Sequence, residues 1–99
     1  MINVNIIRSY REVIAICDSN ILGKTFEEGI LQLNVKESFY KGKEVSFEEA
    51  IEIMKDMVTE DASFNIAGEE SVKAAISAGI ITQESVGTVQ GVPFALILL

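Results

Sequence analysis

The chain has 99 residues, the length of one domain, and 48% of them are apolar, which is enough to fill a hydrophobic core without disulfides or metal ions. It contains no histidine, which excludes the usual general base near neutral pH, serine–histidine and cysteine–histidine nucleophile pairs within the chain, and the usual zinc sites. The net charge is −7, and the single cysteine cannot form an internal disulfide, as expected of a protein in a reducing cytoplasm. We expect no membrane segment and no secretory signal, because the apolar runs fall far short of the ~20 residues of a membrane helix.

Residues 2–18 predict a β-hairpin. Ile2, Val4 and Ile6 alternate with asparagines, which is the pattern of a half-buried strand. Over residues 13–17 both alternating sets of side chains are apolar, which is typical of a strand inside a sheet. The second arm of the hairpin is therefore expected to be central.

A polar loop over residues 17–29 follows. Asp18, Ser19 and Asn20 can bond to neighbouring backbone, and the glycines of the loop can adopt positive φ. Residues 31–36 alternate between apolar and polar side chains and predict another strand, and residues 25–28 allow a short strand before it.

The first helix is predicted to begin near Ser46. Ser46 and Glu49 form a capping box, which satisfies two otherwise unpaired backbone donors. An apolar stripe at helical spacing follows and consists of Phe47, Ala50, Ile51, Met54 and Val58.

A strand and a second helix come next. Residues 62–66 alternate and predict a strand that ends at Gly68. The second helix covers about residues 69–78 and is closed by Gly79, and residues 83–86 allow one further turn.

The C-terminal residues 88–98 predict a strand interrupted at Gly91 and Pro93. Proline cannot donate to a ladder, so Pro93 is expected at a bulge or at an unpaired edge position. Residues 92–99 carry no polar side chain, so this strand is either central and covered on both faces or buried against a second subunit in a homodimer. The small size of the domain favours the first arrangement.

The order of these elements predicts the fold class. Three strands, a helix, a strand, a helix and a last strand are the order of a single α+β domain. We expect a mixed or mainly antiparallel sheet with two helices packed on one face, because the first connections are too short for parallel crossovers.

The polar loop suggests two kinds of chemistry, and both patterns are incomplete. Gly23-Lys24-Thr25 resembles the end of a phosphate-binding loop, but Asp18 occupies the position where that motif needs a glycine. A reactive Cys17 thiolate needs a nearby cation, for which Lys24 is the local candidate, whereas Asp18 would raise the thiol pKa. A structural turn and a buried cysteine are therefore the favoured interpretations.

Carboxylates of the loop suggest an ion site. Asp18, Glu27 and Glu28 can supply the oxygen ligands that magnesium and calcium prefer, but their spacing matches no ion-binding loop. We therefore expect no catalytic residue, no metal and no cofactor. The alternative is a small enzyme or ion-dependent protein that uses Asp18, Lys24 and Glu27.

The strongest candidate for nucleic-acid contact is the aromatic pair Phe39 and Tyr40 beside Lys36, Lys41 and Lys43. Aromatic rings can stack on unpaired bases while lysines neutralise phosphates. The alternative is that the rings, or at least Phe39, belong to the core and the lysines are only solvated.

The distribution of charge bears on the same question. Residues 1–43 carry six basic and five acidic groups, a net of +1, whereas residues 44–99 carry two basic and ten acidic groups, a net of −8. A polyanion would therefore meet the N-terminal half of the chain. The alternative is that the acidic surface only keeps a cytosolic protein soluble.

A set of residues that spans nearly the whole chain resembles one family. It comprises Cys17-Asp18, Leu22-Gly23-Lys24, Phe26, Glu28-Gly29, Leu31, Leu33, Val35, Glu37-Ser38-Phe39-Tyr40, Gly42, Asn65-Ile66, Gly68-Glu69, Ser71-Val72, Ala75-Ile76, Gly79 and Gly91-Val92-Pro93. This pattern resembles the archaeal family called domain of unknown function 424, or DUF424. The resemblance implies a cytoplasmic archaeal protein without an established activity, and an association with translation or RNA handling.

Two positions depart from that pattern. Glu70 stands where similar sequences carry an arginine, and residues 94–96 stand where they carry His-Ala-Gln. These departures leave residues 18–42 as the favoured region for a site. The candidate residues for binding RNA or a ribonucleoprotein are Asp18, Lys24, Phe39, Tyr40, Lys41 and Lys43.

Overall fold

The structure is a computed structural model, and it describes residues 1–58 and 61–98. These residues contain eight strands and three helices. They are β1 (Ile2–Arg8), β2 (Glu12–Asp18), β3 (Thr25–Glu28), β4 (Leu31–Asn34), the one-turn helix α1 (Glu37–Tyr40), β5 (Lys43–Val45), α2 (Phe47–Met57), β6 (Ala62–Ala67), α3 (Glu69–Ser77), β7 (Gly87–Val89) and β8 (Val92–Leu98).

Six of these strands form one sheet in the order β5-β1-β2-β6-β8-β7. The β2–β6 pair is parallel, and the other described pairs of this sheet are antiparallel. The mixed, mainly antiparallel sheet of an α+β domain is thus confirmed, as is the hairpin whose second arm, β2, is central.

Helices α2 and α3 pack on one face of this sheet, as predicted. The buried side chains there include Ile14 and Ile16 of β2, Phe64 of β6 and Met54 of α2. The helix ends also follow the sequence, because the Glu49 N–H donates to Ser46 Oγ at 3.1 Å and α2 begins directly after Ser46.

A second layer, which the sequence analysis did not predict, covers part of the opposite face. Strands β3 and β4 pair with each other in a separate two-stranded ribbon. Leu33 and Val35 from the ribbon segment and Tyr40 from α1 are buried in one cluster with Ala15 and Cys17 of β2. Both faces of β2 are therefore covered, which explains why both of its alternating sets are apolar.

The C-terminal segment is a hairpin, which corrects the prediction of one interrupted strand. Gln90 and Gly91 have φ of 51° and 77° and connect the paired residues Val89 and Val92 in a two-residue turn. Pro93 lies opposite Thr88 in the next pair. In an antiparallel ladder this pair is not hydrogen-bonded, so the backbone groups of Pro93 point away from β7. Its missing N–H therefore leaves the β7–β8 ladder intact without a bulge.

The C-terminal half of β8 is covered on one face only. Ala95 is buried on the helix face, but Leu96 and Leu98 on the other face are 57% and 74% exposed. The favoured expectation of a strand covered on both faces is wrong for this half, because the ribbon and α1 lie against the other end of the sheet. Leu99, the last residue of the apolar run, lies outside the described residues.

We predict that Ser46→Ala lowers the free energy of unfolding by about 1 kcal/mol, because it removes the acceptor for the Glu49 N–H. Urea unfolding followed by circular dichroism measures the change. Ser38→Ala is the control, since Ser38 is exposed and does not cap α2. Equal losses in the two variants would show that the cap at Ser46 does not stabilise α2.

Candidate functional site

Asp18, at the end of β2, binds the start of α3. Because β2 and β6 are parallel, their last residues lie at the same edge of the sheet, and α3 begins directly after β6. Asp18 Oδ1 accepts from Ser71 N–H at 2.8 Å and from Ser71 Oγ–H at 2.7 Å, and Oδ2 accepts from Glu70 N–H at 3.1 Å. A carboxylate here satisfies free amides of the first turn and complements the helix dipole.

Gly68 makes this approach possible. Its φ is +107°, and a Cβ built on it would lie 2.4 Å from Asp18 Cγ. The residue before α3 therefore cannot supply a capping side chain of its own, and Asp18 supplies the cap from another strand. Sequence reasoning named Asp18 but missed Gly68 and Ser71 as its partners. The available signal was a helix preceded by glycine instead of the usual serine, threonine or aspartate.

A cavity of about 370 Å³ lies beside this contact. Its charged lining residues are Asp18, Glu69 and Glu70, all acidic. Such a lining repels phosphate, and both Asp18 oxygens already accept hydrogen bonds from α3. The cavity therefore lacks the cation that phosphate binding needs, and the Asp18 carboxylate is not a free base.

The other residues of the enzyme or ion alternative do not gather around Asp18. Lys24 is exposed and closes the ribbon with its backbone, since its carbonyl accepts from the Val35 N–H at 2.9 Å. Glu27 is exposed on β3 and accepts from Gln32 Nε2 at 3.0 Å. In the described part of the chain, no three histidine, cysteine, aspartate or glutamate side chains are grouped to hold a metal ion.

Cys17 lies on β2, and its side chain is fully buried against the ribbon. Burial, and to a smaller extent the Asp18 charge, raises the pKa of its thiol to about 12. A thiol with this pKa is protonated at neutral pH and is not a nucleophile. Cys17 therefore has the structural role that the sequence favoured.

The two rings of α1 have different positions. Tyr40 is buried with 7% exposure, and this burial, followed by the proximity of Cys17, raises its pKa to about 12. Phe39 is half-buried and packs edge-on against Tyr40 with ring centroids 5.1 Å apart. The core interpretation thus applies to Tyr40, which is not available to stack on a base, and Phe39 is the ring that remains partly accessible.

Three lysines flank these rings in the sequence. Lys36, Lys41 and Lys43 are exposed, and Lys41 Nζ lies 3.9 Å from Glu37 Oε2, a long and solvated ion pair. Lys43 also borders a shallow depression that is lined by acidic residues of α2. We call Lys36, Phe39, Lys41 and Lys43 the α1 surface.

Side chains of β1 fix this surface to the sheet. Asn5 Nδ2 donates to the Phe39 carbonyl at 2.7 Å, and the Gly42 N–H donates to Asn3 Oδ1 at 3.1 Å. With Tyr40 buried between these two contacts, the C-terminal half of α1 is attached to the sheet. Of the predicted site residues, Phe39, Tyr40 and Lys41 are therefore brought together at α1, Lys43 lies beside the acidic residues of α2, and Asp18 and Lys24 are engaged elsewhere.

Comparisons with known proteins agree with this fold. A family model described as a protein of unknown function, DUF424, matches residues 7–99. A crystal structure of an uncharacterised conserved protein from Methanopyrus kandleri is 26% identical and superimposes with a TM-score of 0.86, covering 98% of this chain and 91% of that one. No functionally curated protein matches the chain. None of the described helices has both the length and the apolar character to cross a membrane.

We predict that Asp18 and Gly68 are energetically coupled. Gly68→Ala places a methyl group against the Asp18 carboxylate and should lower the free energy of unfolding by more than the roughly 1 kcal/mol of a positive-φ alanine. In an Asp18→Ala background the carboxylate is gone, so the same substitution should be at least about 1 kcal/mol less harmful. Urea unfolding of the four proteins completes the cycle.

Gly79→Ala is the matched control for this cycle. Gly79 also has positive φ, +78°, but a Cβ there meets nothing within 4 Å. Its substitution should reduce stability equally in both backgrounds. An additive result for Gly68→Ala would contradict the contact with Asp18.

We predict that stability falls as pH rises above 9.0, where an unfolded cysteine loses its proton while native Cys17 keeps it until about pH 12. The unfolded state then binds fewer protons than the native state, so the free energy of unfolding decreases with pH. Cys17→Ala should flatten this dependence just above pH 9.0, below the ordinary tyrosine pKa of 10.0. Urea unfolding against pH measures the slope, and equal slopes for the wild type and Cys17→Ala would refute it.

Proposed function

The chain belongs to DUF424, a family of proteins of unknown function, and we propose that it is a non-enzymatic binding module of the archaeal cytoplasm that associates with RNA or a ribonucleoprotein through the α1 surface. The observation that carries this proposal is the exposure of Lys36, Lys41 and Lys43 on one segment that is fixed to the sheet.

The rigidity of the segment supports a binding role. Asn3 and Asn5 bond to the backbone of the segment, and Tyr40 is buried under it. The backbone that presents the lysines is therefore ordered before a ligand arrives. Less conformational entropy is lost when a preorganised segment binds, so more of the contact energy contributes to affinity.

The distribution of charge on the fold supports an anionic ligand at this place. Residues 36–44 carry three basic groups and two acidic ones, a net of +1, in a chain of net −7. Helices α2 and α3 carry a dense set of acidic side chains, namely Glu48, Glu49, Glu52, Asp56, Glu69 and Glu70. Lys43 borders the acidic side chains of α2, whereas Lys36 and Lys41 lie at the two ends of α1. A polyanion is repelled from the helix face and is least repelled at α1.

The mode of contact follows from the exposures. Three lysines can neutralise phosphates, and the half-buried Phe39 ring offers a partial surface for one unpaired base. Such a site has little means of reading sequence, because base edges are read by hydrogen bonds that lysines bound to phosphates do not make. The proposal therefore implies weak sequence preference and strong dependence on salt.

The absence of catalytic preorganisation favours binding over catalysis. Both Asp18 oxygens are bonded to α3, and the pKa of Cys17 is raised to about 12. Asp18 is one of the three residues of the enzyme alternative and Cys17 is the candidate nucleophile, so neither is free for chemistry at neutral pH.

We predict that the chain binds single-stranded RNA and that Lys41→Ala with Lys43→Ala weakens this binding. Loss of two phosphate contacts should reduce the slope of log affinity against log salt by about 1.4 for a single strand. Fluorescence anisotropy with a labelled mixed-sequence RNA, titrated at several salt concentrations, measures both quantities.

Lys55→Ala with Lys73→Ala is the matched control, because it removes the same charge from exposed positions of α2 and α3. It should leave the affinity and the salt slope close to those of the wild type. Equal weakening by the two double variants would show that only net charge matters. Failure of the wild type to bind RNA at low salt would refute the proposal.

A further inference from the structure

The outer edge of β8 is unpaired over its C-terminal half. Strand β7 pairs with β8 only from Val92 to Phe94, whereas β6 follows β8 as far as Leu98. Residues 95–98 therefore have a neighbouring strand on one side only within residues 1–58 and 61–98. Before β7 the chain does not extend the sheet, since Val86 packs against the core on the helix face.

The groups that face this open edge belong to Leu96 and Leu98. Val92 and Val89 close the two-residue turn and bond to each other, and backbone groups alternate in direction along a strand. Val92, Phe94, Leu96 and Leu98 thus point towards the β7 side, and Pro93 points to the β6 side, where its carbonyl accepts from the Gly68 N–H at 2.8 Å. No described residue pairs with the N–H and C=O of Leu96 or Leu98 on the open side.

The usual protection of an edge strand is missing here. Edges are normally blunted by charged side chains, proline or a bulge. Strand β8 has no charged residue, and its proline lies at the other end, where β7 already covers it. The side chains of Leu96 and Leu98, 57% and 74% exposed, add an apolar surface on the sheet face beside the same edge.

Electrostatics favour a second copy of this chain as the occupant. Two molecules of charge −7 repel each other except where the local charge is close to zero. Strand β8 is uncharged over its described residues. Among the described residues at the same end of the sheet, Arg8 pairs with Glu12 and Arg11 with Asp61, so these four charges sum to zero. This edge is therefore a place where two copies can approach without opposing charge.

We propose that two copies join through β8, which pairs antiparallel with β8 of the partner across a two-fold axis at Ile97. Leu96 then lies opposite the partner's Leu98, and Ile97 lies opposite the partner's Ile97. Leu96 and Leu98 both point their backbone groups outward, so each of these pairs exchanges both of its hydrogen bonds. Their side chains meet on the open face and bury each other, and a two-fold arrangement closes both edges at once.

The dimer leaves the α1 surface free. Strand β5, which follows α1, is at the opposite edge of the sheet from β8 and β7. The inference therefore does not rest on the proposed function, and either can fail without the other.

Sedimentation equilibrium of the full chain over a concentration series tests the proposal. The wild type should reach twice the mass of one chain, and Leu96→Lys or Leu98→Lys should remain at the mass of one chain with an unchanged circular dichroism spectrum. Leu31→Lys is the matched control and should stay dimeric, because Leu31 is 49% exposed but lies on the ribbon. A monomeric wild type, or dimers in both β8 variants, would overturn the proposal. A monomeric wild type would indicate that a strand of another protein pairs with this edge instead.

Hydrogen exchange of the wild type decides the matter if the lysine variants unfold. The amides of Leu96 and Leu98 should be protected at high protein concentration and should exchange rapidly on dilution, whereas those of Ala95 and Ile97, which face β6, stay protected at both. Rapid exchange of Leu96 and Leu98 at the high concentration would overturn the proposal.

Discussion

The contact between the Asp18 carboxylate and the first turn of α3 determines how the rest of the structure is arranged. It joins the central strand β2 to the helix that follows its parallel neighbour β6, and it requires glycine at position 68. The carboxylate accepts hydrogen bonds from amides at the start of α3 and complements the positive end of the α3 dipole. The site is buried, where an N–H group without an acceptor would be destabilising. The polar stretch that begins at Cys17 is therefore mainly a structural connection between Asp18, at the end of β2, and the ribbon, which begins at Thr25.

Burial of β2 on both faces is the second constraint. Ile14 and Ile16 face the helices, while Ala15 and Cys17 face the ribbon and Tyr40. The layer on the ribbon side stops short of Leu96 and Leu98, so the sheet is covered at one end and open at the other. Opposite edges of one sheet thereby have different character, with exposed lysines near β5 and uncharged, unpaired backbone along β8.

Local patterns in the sequence predicted much of this fold. The alternation in β1, the two apolar sets of β2, the Ser46 cap and the closure of α3 at Gly79 depend on neighbours along the chain, so they could be read directly. The separate ribbon could not, because its position depends on contacts with distant strands. The turn at Gln90 was missed since non-glycine residues rarely adopt positive φ.

The candidate site was predictable only in part, because some of its contacts join residues that are distant in the sequence. Phe39 and Tyr40 are adjacent in sequence, and the single turn of α1 buries one and leaves the other half-accessible. The role of Asp18 rests on Gly68 and Ser71, fifty or more positions away.

Native-state hydrogen exchange by NMR tests the contact between Asp18 and the start of α3 most directly. The amides of Glu70 and Ser71 should exchange far more slowly than that of Glu48, which lies in the first turn of α2. Equal exchange at these three amides would contradict the account.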